Sequence, residues 1–218
     1  MERTYKVLLV DDHPIVRQGL AELIGRESDM TVCGQAESAA AALDLTEKTQ
    51  PDLALVDISL DDMNGLVLVK GLKSRQRNLR VLILSMHDEA LYAERALRAG
   101  AHGYIMKREA PTKVITGIRR VLAGDVYLSD DISARIMRKF ASGIDAADES
   151  PVARLSDREL EVYNHIGQGL KTSQIAAKLN LSVKTIETYR EHIKEKLGLN
   201  DATELVQSAI KWVHGEGN

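Results

Sequence analysis

Short aliphatic runs recur through the first half of the chain, each followed by a stretch whose apolar residues fall three or four apart. The runs are YKVLLV (5–10), MTVCGQA (30–36), DLALVD (52–57), RVLILS (80–85) and GYIM (103–106). They read as strands, since they are short, aliphatic and mostly bounded by turn residues. The intervening stretches PIVRQGLAELIGRE, SAAAALDLTEKT, GLVLVKGLKSR, EALYAERALRAG and PTKVITGIRRVLAG read as helices. Pro111 fits the start of the last, and Gly100 and Gly124 fit helix ends, where a left-handed residue closes the final turn. Five strands alternating with five helices predict an α/β domain: a doubly wound, five-stranded parallel sheet with helices on both faces. Ligands of such sheets bind beyond the carboxyl ends of the strands, so the chemistry is sought there.

The pattern changes at about Tyr127. LSDDISARIMRKFASG has the spacing of an exposed amphipathic helix, and IDAADESPVAR is acidic, rich in small residues and linker-like. An all-helical piece follows. LSDRELEVYNHIGQG opens with a capping box, Ser156 being followed three residues later by Glu159. TSQIAAKL is a short second helix, and SVKTIETYREHIKEKLG runs from Ser182 as N-cap to Gly198 as C-cap. DATELVQSAIKWV repeats the capping logic with Asp201 and Glu204. The predicted organisation is a domain over 1–126, a linker containing a helix over 127–151, and a small all-α helix-turn-helix domain over 152–218.

Composition narrows the class. With 29 Lys+Arg against 32 Asp+Glu, the net charge of −3 gives no bulk attraction to nucleic acid, so any DNA contact must be local. Cys33 is the only cysteine, which excludes an intrachain disulfide and a thiolate metal cluster. The first apolar run is too short for a signal sequence or a membrane span, and a cytoplasmic protein with no membrane partner is expected.

Polar residues at the strand ends form a coherent set. The first strand ends in Asp11 and Asp12, the third in Asp57, the fourth in Ser85, and Lys107 follows the fifth. Each alone has a bland explanation: an Asp at a strand end is more often a turn residue or a helix cap. Together they make an oxygen-rich centre suited to a hard cation such as Mg²⁺. Asp57 is then a candidate nucleophile toward phosphorus, with Lys107 and the Ser85 hydroxyl facing the phosphoryl oxygens. An aspartyl phosphatase or phosphomutase is disfavoured, because the second residue after Asp57 is Ser59, where such enzymes commonly need Asp.

VLLVDDHPIVRQGL, DLALVDISLDDMNGL and VLILSMHDEALYAERALRAGAHGYIMK resemble the receiver domain of a two-component response regulator. The resemblance implies Asp57 as phosphoacceptor for a sensor histidine kinase and Asp11 and Asp12 as the acidic pair. It also implies the Ser59 carbonyl as an Mg²⁺ ligand, with Ser85 and Lys107 sensing the phosphoryl group. Tyr104 matches the aromatic position that swings with the hydroxyl residue. Self-phosphoryl transfer and autodephosphorylation are the only catalysis implied. Two departures stand out. Leu60, Asp61 and Asp62 occupy positions where Met-Pro-Gly is common, so a looser loop with extra negative charge is expected. Arg108 follows Lys107 where many receivers have proline, so a trans peptide is expected there.

In the helix beginning at Ser182, Ile186, Tyr189, Ile193 and Leu197 share one side. Lys184, Thr188, Glu191 and Glu195 lie opposite, flanked by Glu187, Arg190 and Lys194. Periodicity alone equally describes a surface helix with charge pairs such as Glu191 to Lys194. The segment LSDRELEVYNHIGQGLKTSQIAAKLNLSVKTIETYREHIKEKLGL resembles the LuxR-type helix-turn-helix of NarL/FixJ regulators almost throughout. That resemblance implies double-stranded DNA, read in the major groove, with Thr172, Lys184, Thr185, Glu187, Thr188, Arg190, Glu191 and Lys194 at the interface. RNA polymerase is a further expected partner, and the last helix is expected to pair with a twin in a homodimer. A receiver that no longer uses phosphate and acts by protein assembly is the rival reading.

Overall fold

The aliphatic runs fold as β1 (Tyr5–Val10), β2 (Met30–Ala36), β3 (Leu53–Val56), β4 (Arg80–Ser85) and β5 (Gly103–Met106). In the computed structural model, which describes residues 3–142 and 151–213, these make one parallel sheet ordered β2-β1-β3-β4-β5. Helices α1 (Pro14–Gly25), α2 (Ala39–Thr49), α3 (Gly65–Arg75), α4 (Glu89–Ala99) and α5 (Ala110–Ala123) connect the strands. Side chains alternate across a strand. Val7, Leu9, Leu53, Leu55, Leu82 and Leu84 accordingly join Leu20, Ile24, Val114 and Ile118 in the core under α1 and α5. Leu8, Val10, Ala54, Val56, Val81 and Ile83 point the other way and are equally buried. A sheet covered on both faces needs continuous apolar strands rather than alternating ones, and the central strands β1, β3 and β4 supply them, while the border strand β2 exposes Thr31 and Gln35. The chain leaves β1 for β2 on one side and returns to β3 on the other. The sheet therefore has its switch point between β1 and β3, where a crevice opens at the strand ends.

The helix ends follow the local chemistry. Ser38, Asn64 and Asp88 cap α2, α3 and α4 with their side-chain oxygens. Gly100 and Gly124 close α4 and α5 at φ 104° and 106°, a region open to glycine at little cost.

The segment expected to be a linker from residue 127 is, up to Ser142, part of the first compact unit, which spans Met1–Ser142. Tyr127 lies alongside β5: its N–H donates to the His102 carbonyl at 3.0 Å, and its carbonyl accepts from the Tyr104 N–H at 2.8 Å. Two glycines make room for it. A Cβ at Gly103 would lie 2.6 Å from the Tyr127 carbonyl oxygen, and one at Gly117 would lie 3.2 Å from its ring. Helix α6 (Asp130–Ser142) then packs on α4. The Glu89 carboxylate accepts the Ser129 N–H at 2.8 Å, Arg135 donates to the Ala90 carbonyl, and Lys139 pairs with Glu94 at 2.9 Å. Ile132 is buried against the receiver unit, while most of the rest of α6 is exposed or half-buried, as an exposed amphipathic helix should be. The rest of the predicted linker up to Ser150 lies outside the described residues.

Among the described residues, the second unit opens with a 3₁₀ turn, Pro151–Arg154, whose Val152 is buried. It continues through α7 (Asp157–Gly167), α8 (Thr172–Lys178), α9 (Val183–Leu197) and α10 (Ala202–Val213). Leu160, Ile166, Ile175, Ile186, Ile193 and Leu205 are buried. A Cβ on Gly167 would lie 2.3 Å from the Ala209 carbonyl, so α7 and α10 meet backbone to backbone. The predicted capping box is present at α7, and Glu159 also takes an ion pair from Lys196 at 2.6 Å, pinning α7 to α9.

Candidate functional site

The strand ladder sets the positions of the carboxylates. The Asp11 N–H donates to the Ala36 carbonyl at 3.1 Å, and the Asp57 N–H to the Val10 carbonyl at 2.9 Å, so both residues extend the sheet by one step. One ligand atom from each of Asp11, Asp12, His13 and Asp57 lies within 4.8 Å of the others. The Asp11 and Asp57 side chains are only 3% and 2% exposed, which is costly for clustered negative charge. Lys107 offsets it. Its Nζ lies 2.7 Å from Asp57 Oδ2 and 2.7 Å from Asp11 Oδ2, so one ammonium bridges two carboxylates.

Burial pushes the Asp57 carboxyl above the ordinary carboxylate value, against the opposing pull of Lys107 and the Ser59 backbone. Burial alone would lower Lys107, but Asp57 and Asp11 outweigh it and hold the ammonium above its usual value. The lysine therefore stays charged, and Asp57 is an unusually basic carboxylate. Its Oδ1 is buried without a hydrogen-bond partner. An orphaned carboxylate oxygen beside two further carboxylates fits a hard dication.

The loop after β3 is tight where the sequence predicts it to be loose. The Gly65 N–H donates to the Ile58 carbonyl at 2.7 Å, and a Cβ there would fall 2.1 Å from the Asp57 carbonyl oxygen. Only glycine fits so close to the phosphoacceptor candidate. Asp62 supplies a second restraint. Its two oxygens accept the N–H groups of Ala39 and Ala40 at 2.9 and 3.2 Å, at the start of α2. Helix N-termini favour negative charge. The expected loosening is thus corrected: an aspartate does by hydrogen bonding what a proline would do by stiffness. Asp61 is exposed.

Ser85 is fully buried and belongs to a second network, centred on a residue the sequence reading missed. The His87 N–H donates to Ser85 Oγ at 3.2 Å, its Nε2 meets Ser59 Oγ at 2.9 Å, and its carbonyl accepts the Tyr104 hydroxyl at 2.9 Å. Its ring stacks on Tyr92 with centroids 4.7 Å apart. His87 therefore ties the loop after Asp57 to the loop after β4 and to β5. Tyr104 is already inward, 1% exposed, and burial raises its hydroxyl well above the usual range. No peptide bond is cis among the described residues, Lys107–Arg108 included.

In the second unit, α9 is capped by Ser182, whose Oγ accepts the Thr185 N–H at 3.0 Å. Ile186 and Ile193 are buried, with Tyr189 and Leu197 half-buried beside them. Lys184, Glu187, Thr188 and Glu191 are exposed, while Thr172, Thr185, Arg190 and Lys194 are half-buried. The Glu191–Lys194 pair forms at 2.8 Å. With α8 across a short turn, this is the helix-turn-helix arrangement, in which the second helix lies in the major groove.

A switch-point crevice holding a buried aspartate, a lysine and an acidic pair, followed by a helix-turn-helix unit, defines a class, and sequence comparison gives the same one. Residues 7–119 match the response regulator receiver domain, and residues 153–209 match the bacterial regulatory proteins of the luxR family. The chain belongs to the two-component response regulators of the NarL/FixJ type, with a receiver and a LuxR-type DNA-binding domain. It is 34% identical over 210 residues to the oxygen regulatory protein NreC of Staphylococcus carnosus, covering 94% of this chain and 97% of the relative. Among solved structures it resembles RcsB of Salmonella enterica serovar Typhimurium bound to promoter rprA with phosphomimetic BeF3-. That match has a TM-score of 0.65 at 25% identity, over 94% of this chain and 98% of that one. A LuxR-family response regulator from Aurantimonas sp. matches at 34% identity and TM-score 0.59, over 63% of this chain and 99% of that one. No helix among the described residues is long and apolar enough to cross a membrane.

Proposed function

We propose that this regulator is switched by phosphorylation of Asp57 in the cytoplasm and then binds two-fold DNA sites as a homodimer to control transcription. The observation that carries this reading is the state of Asp57: buried, paired through Oδ2 to Lys107, with Oδ1 unpartnered. The Asp57 carboxylate attacks the phosphorus of a phosphohistidine on a sensor histidine kinase. The P–N bond breaks, its electron pair stays on the imidazole, which takes up a proton, and Asp57 becomes an acyl phosphate. Lys107 moves its charge onto one transferred oxygen, and the Ser85 hydroxyl donates to another. Asp11, Asp12, Asp57 and the Ser59 carbonyl would hold Mg²⁺, which supplies neutralising charge for the phosphoryl oxygens.

The modified side chain gains roughly −2 charge. Pulling Ser85 toward it strains the His87 and Tyr104 network, and β5 carries that change to Tyr127 and α6. Because Tyr104 is already inward, phosphorylation acts by favouring an arrangement the unmodified chain can reach. The DNA-binding unit has nine positive and nine negative side chains from Pro151 onward, so its salt dependence is shallow. Recognition then rests on Thr172 and on the exposed face of α9, with RNA polymerase engaged at the promoter.

Binding-site selection on the full chain, with and without a small phosphoryl donor, tests this reading. The donor is expected to tighten DNA binding by about ten-fold, within the range of typical couplings, and to do nothing for Asp57→Ala. Equal tightening in both proteins overturns it.

A further inference from the structure

Neither the phosphoryl-transfer chemistry nor helix capping accounts for His13. It precedes α1, and its side chain makes no capping bond there. The ring packs in no core, being 64% exposed. Instead it is held against the acidic centre. Its backbone N–H donates to Asp11 Oδ1 at 2.9 Å, and Pro14 fixes the turn that follows. The ring Nδ1 then lies 2.5 Å from Asp12 Oδ1 and 3.2 Å from Asp11 Oδ1.

We propose that His13 turns the acidic centre into a mixed nitrogen–oxygen site that prefers a first-row transition dication such as Mn²⁺ to Mg²⁺. This rests on the reading that Asp11, Asp12 and Asp57 hold a dication. Two independent observations support it. The imidazole Nδ1 and the three carboxylates offer ligand atoms within 4.8 Å of one another. Ligands at about 2.0–2.2 Å from one ion stand no more than about 4.4 Å apart, so closure needs only a few tenths of an ångström. The second is Asp57 Oδ1, buried and lacking a hydrogen-bond partner. Carboxylates and carbonyls alone suit Mg²⁺ and Mn²⁺ alike, whereas an imidazole ligand adds affinity for transition ions and little for Mg²⁺. Lys107 bridges Asp11 and Asp57 and leaves the centre net negative, and the His13 ring stands on its Asp11–Asp12 side.

The test is calorimetric titration of MnCl₂ and MgCl₂ into the full chain, with spin-echo spectroscopy of the bound Mn²⁺. In the wild type, ¹⁴N modulation from a coordinated imidazole is expected. In His13→Ala the modulation disappears and the Mn²⁺ preference over Mg²⁺ falls about five-fold or more, while Mg²⁺ affinity stays within about two-fold. Asp12→Asn and Asp57→Asn are expected to weaken both ions, which also excludes the remaining histidines as the Mn²⁺ site. An unchanged preference in His13→Ala, or no ¹⁴N modulation in the wild type, overturns the role of His13 while leaving the carboxylate site intact. Mg²⁺ binding that survives both aspartate substitutions overturns the dication reading itself, and the proposal with it.

Discussion

Asp57 and Glu187 carry the same functional group in opposite surroundings. Asp57 is 2% exposed, with one oxygen on an ammonium and its backbone locked into a sheet. Glu187 stands in solvent on the open face of α9. A buried carboxylate draws its reactivity from burial and from a few close charges, here Lys107 and Asp11, so its chemistry is present or lost as a whole. An exposed one acts through increments spread over several contacts. Substitution of Asp57 should therefore be all-or-none for labelling, and substitutions in the reading helix graded for base preference.

The largest expected effect is at Asp57. Asp57→Ala should abolish phosphoryl labelling, whereas Asp61→Ala and Asp62→Ala retain it; label on the first variant would break the contrast outright. Gly65→Ala comes next. The new Cβ must displace the Asp57 backbone, and chemical denaturation should show a loss of about 3 kcal/mol with labelling sharply reduced. In the reading helix, Glu187→Ala and Glu191→Ala should each relax preference at one base by about 1–3 kcal/mol, with cytosine the expected partner, and leave labelling intact. An unchanged site preference in both would return α9 to a plain surface helix.

Smaller still is Asp62→Ala, expected to cost about 1 kcal/mol by removing two acceptors from the start of α2. Asp57 lies above its ordinary value in the folded chain, so the native state binds this proton more tightly than the unfolded state. Its favourable contribution is complete below the ordinary value of 3.8 and is lost as pH rises through the folded value. Asp57→Asn should therefore unfold at a higher temperature than wild type at neutral pH, with the gap closing in acid.

Much of this was legible in the chain because strand alternation and strand ends are periodic features. Asp11, Asp57 and Lys107 could be brought together from order alone, since parallel strands deliver their C-termini to one edge. The capping box at Ser156 and the α9 cap at Ser182 are local and equally readable. The contacts of Asp62, His87 and Tyr127 were not. Asp62 binds backbone N–H groups 22 and 23 residues away, and a backbone donor has no residue-type signature. His87 acts through its N–H, carbonyl and ring toward three separate elements. Tyr127 is a strand one residue long, too short to show a period, and so the first unit's true extent was hidden inside a stretch with linker composition. The amphipathic pattern of α6 showed a helix there but not its attachment to α4.

Tyr127 has a consequence for how these molecules tolerate one another at high concentration. A strand at the border of an open sheet presents unpaired amides that can recruit a foreign strand, and Tyr127 occupies that position beside β5. Gly103 and Gly117 leave the space it needs. A fragment cut at Val126 would uncover this border and should self-associate, whereas one carried through Ser142 keeps its own guard in place.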